Sequence, residues 1–201
     1  MKLKKEFYMR ETLTVAKDLL GTTLVHETSE GILKGKIVEV EAYKGPKDAA
    51  SHAYKNKATK RTHILFEAGG YAYIHLIYGM YYCFNVVTAD KNVPESVLVR
   101  ALEPLEGIDI MKKHRRTDNL KNLTNGPGKL CKALAINKDC YGLDLCTSSL
   151  YIEEGDTVPA SSILATKRIN IDYSGEAKEY LWRYVISDSK FLSVPVKFVE
   201  K

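Results

Sequence analysis

Hydrophobic and polar positions alternate with a period of two along much of this chain, and helical spacing surfaces only in short stretches. Alternate residues of a strand share a face, so the first pattern predicts half-buried strands. "ETLTVAKDLLG" (11–21) places Leu13, Ala16, Leu19 and Leu20 on one helical face, with Thr12 or Thr14 as cap and Gly21 as stop. Two strands are expected next, "TTLVHET" (22–28) and "ILKGKIVEVEAY" (32–43), on either side of "SEG". Residues 44–70 have little periodicity and read as a long polar loop, a feature that usually serves function. A hairpin, "YAYIHLIYGMYYCFNVV" (71–87), follows with Tyr78-Gly79 at its tip, and then "SVLVRALEPL" (96–105) reads as a buried strand running to Arg100.

Pro104 is expected to open a second helix with Leu105, Ile108 and Met111 on one face, ended by the polar run "HRRTDNLKNLTN". A third helix is expected in "NGPGKLCKALAI", capped by Asn125, with Leu130 and Leu134, and Cys131 and Ala135, at helical spacing. Toward the C-terminus, "LYIEEG", "ILATKRINI", "WRYVIS" and "FLSVPVKF" read as short strands between turns. This order predicts an α/β chain of the α+β type, one domain over residues 1–201, with an antiparallel or mixed sheet rather than a doubly wound one.

Composition adds bounds. The 201 residues are 45% hydrophobic and 27% charged, enough to bury a core without staples. No apolar run approaches a bilayer span, and the opening "MKLKKEFYMRETL" is too charged for a signal peptide. The expected location is the cytoplasm or nucleoid (the nucleus in a eukaryote), not outside the cell. Cys83, Cys131, Cys140 and Cys146 form no C-x-x-C pair, which argues against a zinc ribbon and for reduced, packed thiols. Asn122-Leu123-Thr124 matches a glycosylation sequon that has no meaning without secretion.

The net charge of +5 suits a polyanionic partner without requiring one. Lys44, Lys47, Lys55, Lys57, Lys60 and Arg61 form one basic cluster, and Lys112, Lys113, His114, Arg115 and Arg116 a second. Each reads equally as a solvated face.

The strand "KIVEVEAY" carries the first candidate chemistry. Alternation directs Val38, Val40 and Ala42 to one side and Glu39, Glu41 and Tyr43 to the other. That second side is either solvated or a site where an aromatic and two carboxylates face the basic loop with Asp48 and His52. A carboxylate beside a glycosidic bond can activate water and balance an oxocarbenium-like charge. His52 with scattered carboxylates is a weak metal signal. Tyr78 poses the second question, because hairpin tips favour Asn, Asp or Gly. It reads either as a packing residue or as a wedge between stacked bases, supported by two strands. Asn85, amid Cys83, Phe84, Val86 and Val87, needs polar partners or solvent.

Taken together, "VEVEAYKGPKDAASH", "YIHLIYGMYYCFNVV", "VLVRALEPLEG" and "NGPGKLCKALAINK" resemble the alkyladenine (3-methyladenine, methylpurine) DNA glycosylase family, in the family's order over most of residues 10–145. A weaker likeness continues through "RINI" and "WRYVIS". The resemblance implies a compact domain with a curved, mostly antiparallel sheet, flanking helices and a protruding hairpin. It implies a monofunctional enzyme that flips alkylated, deaminated or etheno purines out of duplex DNA. A Glu-activated water then hydrolyses the N-glycosidic bond and leaves an abasic site. Glu41 matches the general base and Arg100 an arginine near it. Tyr43 and His52 match residues that sandwich the flipped base. Asn85 matches an amide that excludes the 2-amino group of guanine, Tyr78 the intercalating tyrosine, and Thr59 and Arg61 a loop near the phosphates. No metal or organic cofactor is implied, and the expected partner is double-stranded DNA with damaged purines, bound by a monomer. One position departs: where some members have a tyrosine three residues before the wedge, this chain has His75, which stacks more weakly and can titrate near neutral pH. The lesion spectrum is left open by that change.

Other readings make different demands. A non-catalytic nucleic-acid module would leave Glu41 incidental. A carbohydrate glycosidase would use Glu39 and Glu41 as an acid/base pair. "GPGK" is a weak sign of a helix-hairpin-helix glycosylase.

Overall fold

One long strand organises the molecule. In the computed structural model, which describes residues 1–196, the chain forms α1 (Lys5–Tyr8), α2 (Thr12–Asp18), β1 (Thr23–Thr28), the long β2 (Gly31–Tyr43), β3 (Ala72–Ile77), β4 (Tyr81–Thr88), β5 (Glu95–Glu106), α3 (Ile108–Arg115), α4 (Pro127–Ala133), β6 (Leu150–Glu153), β7 (Ile163–Thr166) and β8 (Arg183–Ile186). The main path of the sheet runs β3-β4-β5-β2-β1-β6, and every pairing is antiparallel. On the side of β2 away from β5, the first half of the strand pairs with β1 and residues Glu39 to Glu41 pair with β8. The sheet therefore changes partner halfway along β2 and curls into a half-barrel. Among the described residues no helix is long and apolar enough to cross a membrane.

The change of partner coincides with a bulge. Ile37 faces Leu102, Glu39 faces Ala101 and Val40 faces Val99, so neither Val38 nor Arg100 has a Cα partner across this pair. An extra residue on a strand shifts which side chains share a face. Ile37 joins Val40 and Ala42 in the main core cluster, whereas Val38, expected beside them, is buried but outside that cluster. The apolar face of β2 and β5 packs against Val15 and Ala16 of α2, Leu19 just beyond it, and Leu130 and Cys131 of α4. The other face carries Glu39, Glu41 and Arg100, and it too is buried.

Several local expectations are corrected. Glu11, not Thr12 or Thr14, caps α2 by accepting from Thr14 N at 2.9 Å; Thr12 is buried and bonds Thr88 Oγ1. Pro104 opens no helix. It lies in β5 opposite Gly35, at a register irregularity where a missing N–H is tolerated. The helix begins only after Gly107, whose φ of +75° turns the chain. Gly126 rather than Asn125 occupies the cap position of α4, and Asn125 Oδ1 instead accepts from Lys129 Nζ at 2.8 Å. "ILATKRINI" stays extended only to Thr166, and Asn170 turns the chain at φ +59°. In "FLSVPVKF", residues 191–196 form no strand and the last two lie outside the described residues. Residues 44–70 form three short 3₁₀ turns pinned by buried Asp48, Ala53 and Thr62. The four cysteines are free thiols, three of them buried.

Candidate active site

Three buried carboxylates meet three buried guanidinia beneath the second face of the sheet. Glu39, Glu41 and Asp48 have no exposed surface, and Arg100, Arg168 and Arg183 are nearly as deep. A buried charge is tolerated only when paired and hydrogen-bonded. Each acid meets that demand differently. Glu39 accepts from Arg100 Nε at 3.0 Å, Arg183 Nε at 2.8 Å, and Ser193 N and Oγ at 2.6 and 2.7 Å. Asp48 takes a two-pronged bond from Arg168 at 2.6 and 2.8 Å and also accepts from Lys44 N and Ala50 N. Glu41 accepts from Ile169 N at 2.7 Å, the Tyr43 hydroxyl at 2.8 Å and Arg100 Nη1 at 3.3 Å. Burial disfavours the charge on Arg100, but Glu41 and Glu39 outweigh it and hold the guanidinium above its ordinary pKa.

In front of this network lies a cavity of about 460 Å³. All three donors to Glu41 come from residues that line it, Tyr43, Arg100 and Ile169, so Glu41 sits one layer behind the wall. Glu39 is farther from use: its two oxygens already take four bonds, and of its donors Arg100 lines the cavity whereas Arg183 and Ser193 do not. That arrangement does not match a pair of acids flanking a substrate bond. Burial, reinforced by Glu41, raises the Tyr43 pKa well above its ordinary value, so the hydroxyl stays a donor. The Arg168 guanidinium lies 4.7 Å from the Tyr43 ring centroid and 5.1 Å from that of Trp182, which backs the Tyr43 ring with a cation.

The β3–β4 hairpin supplies another wall. Tyr73 and Asn85 are cross-strand partners, and His75 is two residues along from Tyr73 on the same face. Tyr73 and His75 stack with centroids 5.2 Å apart, and His52 meets His75 edge-on at 4.6 Å. His52 Nδ1 and the Tyr73 hydroxyl share a hydrogen bond of 2.8 Å. Asn85 gives its amide hydrogens to the Tyr73 carbonyl at 3.1 Å and to His75 Nδ1 at 3.2 Å. That second bond makes Nδ1 an acceptor and leaves the proton of a neutral His75 on Nε2. Burial pushes His75 down to about 3, helped by His52 and Arg61, and pushes His52 down to about 4. The expectation that His75 titrates near neutral pH is therefore corrected: both rings are neutral there.

These shifts have a consequence for folding. In the unfolded chain both histidines titrate near the ordinary 6.5. As pH falls below 6.5, the unfolded state takes up protons that the folded state refuses until about 4 and 3, so stability is lost across that window. Urea unfolding at pH 7 and pH 5 is expected to give a lower free energy at pH 5, by on the order of 1–2 kcal/mol per histidine. His75→Gln is expected to flatten the dependence, and an unchanged slope would count against the buried neutral ring.

Tyr78 occupies the hairpin tip, 73% exposed. The turn is closed by Met80 N–H donating to Ile77 O, with φ of +52° at Tyr78 and +67° at Gly79. A tyrosine in this left-handed region costs roughly 1–2 kcal/mol, strain of the kind that gathers at functional sites. Met80 and Tyr81 are exposed beside it. The hairpin is buttressed by α4, where a Cβ at Gly128 would lie 2.9 Å from Tyr81 Cβ. "GPGK" is thereby explained as a close-packing element.

The structure thus brings Tyr43, His52, His75, Tyr78, Asn85 and Arg100 to one cavity, with Glu41 behind it. Thr59 and Arg61 remain on the exposed loop outside the cavity wall. Lys47, Lys55, Lys57, Lys60 and Arg61 are exposed with no ion-pair partner among the described residues, whereas Lys44 pairs with Glu11. In the second basic cluster Lys112 pairs with Asp109, Lys113 and His114 share Glu30, and Arg116 is exposed with no ion-pair partner among the described residues. Arg115 turns instead to the cavity wall. Sequence reasoning missed Tyr73, Ile169, Arg168 and Arg183. Tyr73 was within reach, being one alternation step from His75; the lone arginine inside apolar "ILATKRINI" was a fainter signal.

The sequence has close relatives. The family model described as "Methylpurine-DNA glycosylase (MPG)" matches residues 6–190. A protein of Clostridium novyi is 52% identical over 200 residues, covering 96% of this chain and 98% of its own length. Proteins of Bacillus cytotoxicus and Clostridium acetobutylicum are 50% and 49% identical, covering 96% of this chain and 100% and 98% of their own lengths. All three are named "Putative 3-methyladenine DNA glycosylase". The chain belongs to the methylpurine-DNA glycosylase family, and as such is a monofunctional DNA glycosylase, a hydrolase acting in the repair of alkylated purines.

Proposed function

We propose that one domain of this protein binds duplex DNA as a monomer, takes a damaged purine into the cavity and hydrolyses its N-glycosidic bond with water directed by Glu41. The observation that carries the reading is the placement of Glu41: a wholly buried carboxylate whose three donors all stand in the wall of one aromatic cavity. In the free protein the Tyr43 hydroxyl occupies Glu41 Oε2. When the Tyr43 ring turns to stack on the entering base, that oxygen is released to accept from a water. Glu41 then takes the proton as water attacks C1′, and its charge balances the oxocarbenium-like sugar. Arg100 holds the carboxylate in place.

The base lies among Tyr43, His52 and His75, with Asn85 crowding the 2-amino group of an undamaged guanine. Alkylation at N3 or N7 makes the purine cationic, a better leaving group and a ligand for ring faces, worth about 0.5–2 kcal/mol. The favoured substrates are the cationic 3-methyladenine and 7-methylguanine, ahead of hypoxanthine or ethenoadenine, whose neutral rings need a proton as they depart. Thr59, Arg61 and the unpaired lysines of the 44–70 loop contact phosphates, so affinity falls steeply with salt. The enzyme works in the cytoplasm or nucleoid.

Tyr78 fills the gap left by the extruded nucleotide. Its strained backbone makes a clean test. Tyr78→Gly relieves the left-handed strain and is expected to keep or raise the melting temperature, while base release from a duplex with one hypoxanthine falls by about tenfold or more. A large loss of melting temperature with unchanged base release would return Tyr78 to a packing role.

A further inference from the structure

A second tyrosine stands at the same cavity with no assigned part. Tyr173 is 73% exposed, as Tyr78 is, and both line the cavity. It comes from the far end of the chain, on the turn Asp172–Glu179. The turn is firmly seated. Ile171, Ser174 and Ala177 are buried, and Ser174 Oγ donates to the Ile171 carbonyl at 2.6 Å. Arg168 Nη2, already held by Asp48, donates to the Ala177 carbonyl at 3.2 Å. Tyr173 is therefore a large ring held in water on a rigid base, beside an opening shared with the hairpin tip. A surface aromatic presented this way is a contact awaiting a flat partner.

The charge of the turn narrows what that partner offers. Asp172 precedes the ring in sequence and Glu176 follows it, Glu179 is paired with Lys167, and Lys178 is the one cation of the turn, so the segment offers no cluster of positive charge to a phosphate. What it presents is an aromatic face, suited to a nucleobase or deoxyribose. We propose that Tyr173 is a second nucleic-acid contact. Its ring packs on the nucleotide adjoining the extruded one, on the damaged strand, and so holds the opened duplex against the cavity. The inference rests on the extrusion of a nucleotide proposed above.

The test measures dissociation constants of the full chain for a duplex with one tetrahydrofuran abasic analogue and for the same duplex undamaged, over a range of salt. Tyr173→Ala is expected to weaken binding to the analogue by roughly tenfold, the scale of one ring–base contact. Binding to the undamaged duplex, the salt slope and the melting temperature should stay as in the unaltered protein, and Tyr173→Phe should bind the analogue normally. Unchanged affinity of Tyr173→Ala, an equal loss on both duplexes, or a loss in Tyr173→Phe matching that of alanine would each overturn the proposal. Tyr78→Gly run alongside separates the two claims. If Tyr78→Gly loses affinity for the analogue and Tyr173→Ala does not, only this inference fails. If the unaltered protein does not distinguish the two duplexes, the extrusion reading fails and this inference with it.

Discussion

Glu41→Gln is expected to lower the single-turnover rate of base release by about 10²–10⁴, the usual contribution of a positioned general base, while duplex binding stays within about twofold. The substitution is nearly isosteric, and the site explains why binding survives it. A glutamine carbonyl can still accept from Ile169 N–H or from the Tyr43 hydroxyl, so the wall built on these residues keeps its shape. What is lost is the anionic oxygen that takes a proton and faces the developing sugar cation. Arg100 then has one charged partner fewer, Glu39 remaining. A release rate near that of the unaltered protein would remove Glu41 from its role.

Arg168→Met is expected to cost about 3–5 kcal/mol of folding free energy, the range for removing one partner of a buried ion pair. In a chain of this size that corresponds to a fall in melting temperature of roughly 10 °C. The magnitude follows from what Arg168 joins. Its side chain has no exposed surface, and it ties Asp48 at the start of the 44–70 loop to the carbonyls of Ala42 on β2 and Ala177 on the Tyr173 turn. Without it Asp48 keeps, among the described residues, only Lys44 N and Ala50 N as donors for a buried charge. Because the guanidinium also backs the Tyr43 ring, the variant is expected to bind a duplex with a damaged purine more weakly even where it is fully folded. A loss below about 1 kcal/mol by urea titration would show that the pair is not the clamp described.

The regular strands and the hairpin were legible because period-two alternation needs only neighbouring residues. β1, β2 and the two arms around Tyr78 fall where the pattern puts them. The charged layer was not legible in the same way. Arg168 and Asp48 are 120 residues apart and Arg183 and Glu39 144 apart, and no local spacing joins them. Alternation told that Glu39 and Glu41 share a side of β2, but it cannot separate a solvated side from one covered by arginines. Val38 was misplaced because a bulge has no compositional signature here, and Pro104 because its spacing to Ile108 and Met111 fits a helix that strand pairing forbids. The cavity residues themselves came from joint motifs rather than from periodicity. Tyr73, which no motif brought forward, is as much a part of that wall as His75.

The central claim is that water, directed by Glu41, releases the damaged purine. It is tested most directly by product analysis under enzyme excess. The purified protein is incubated with a duplex carrying a single 7-methylguanine, and free base, abasic strand and borohydride-trapped protein–DNA adduct are quantified together by mass spectrometry. The account predicts free 7-methylguanine and abasic strand in equal amounts, no trapped adduct, and formation of both products about 10²–10⁴ slower with Glu41→Gln. Base release by Glu41→Gln at near the rate of the unaltered protein, or a trapped covalent adduct in the unaltered protein, would contradict it.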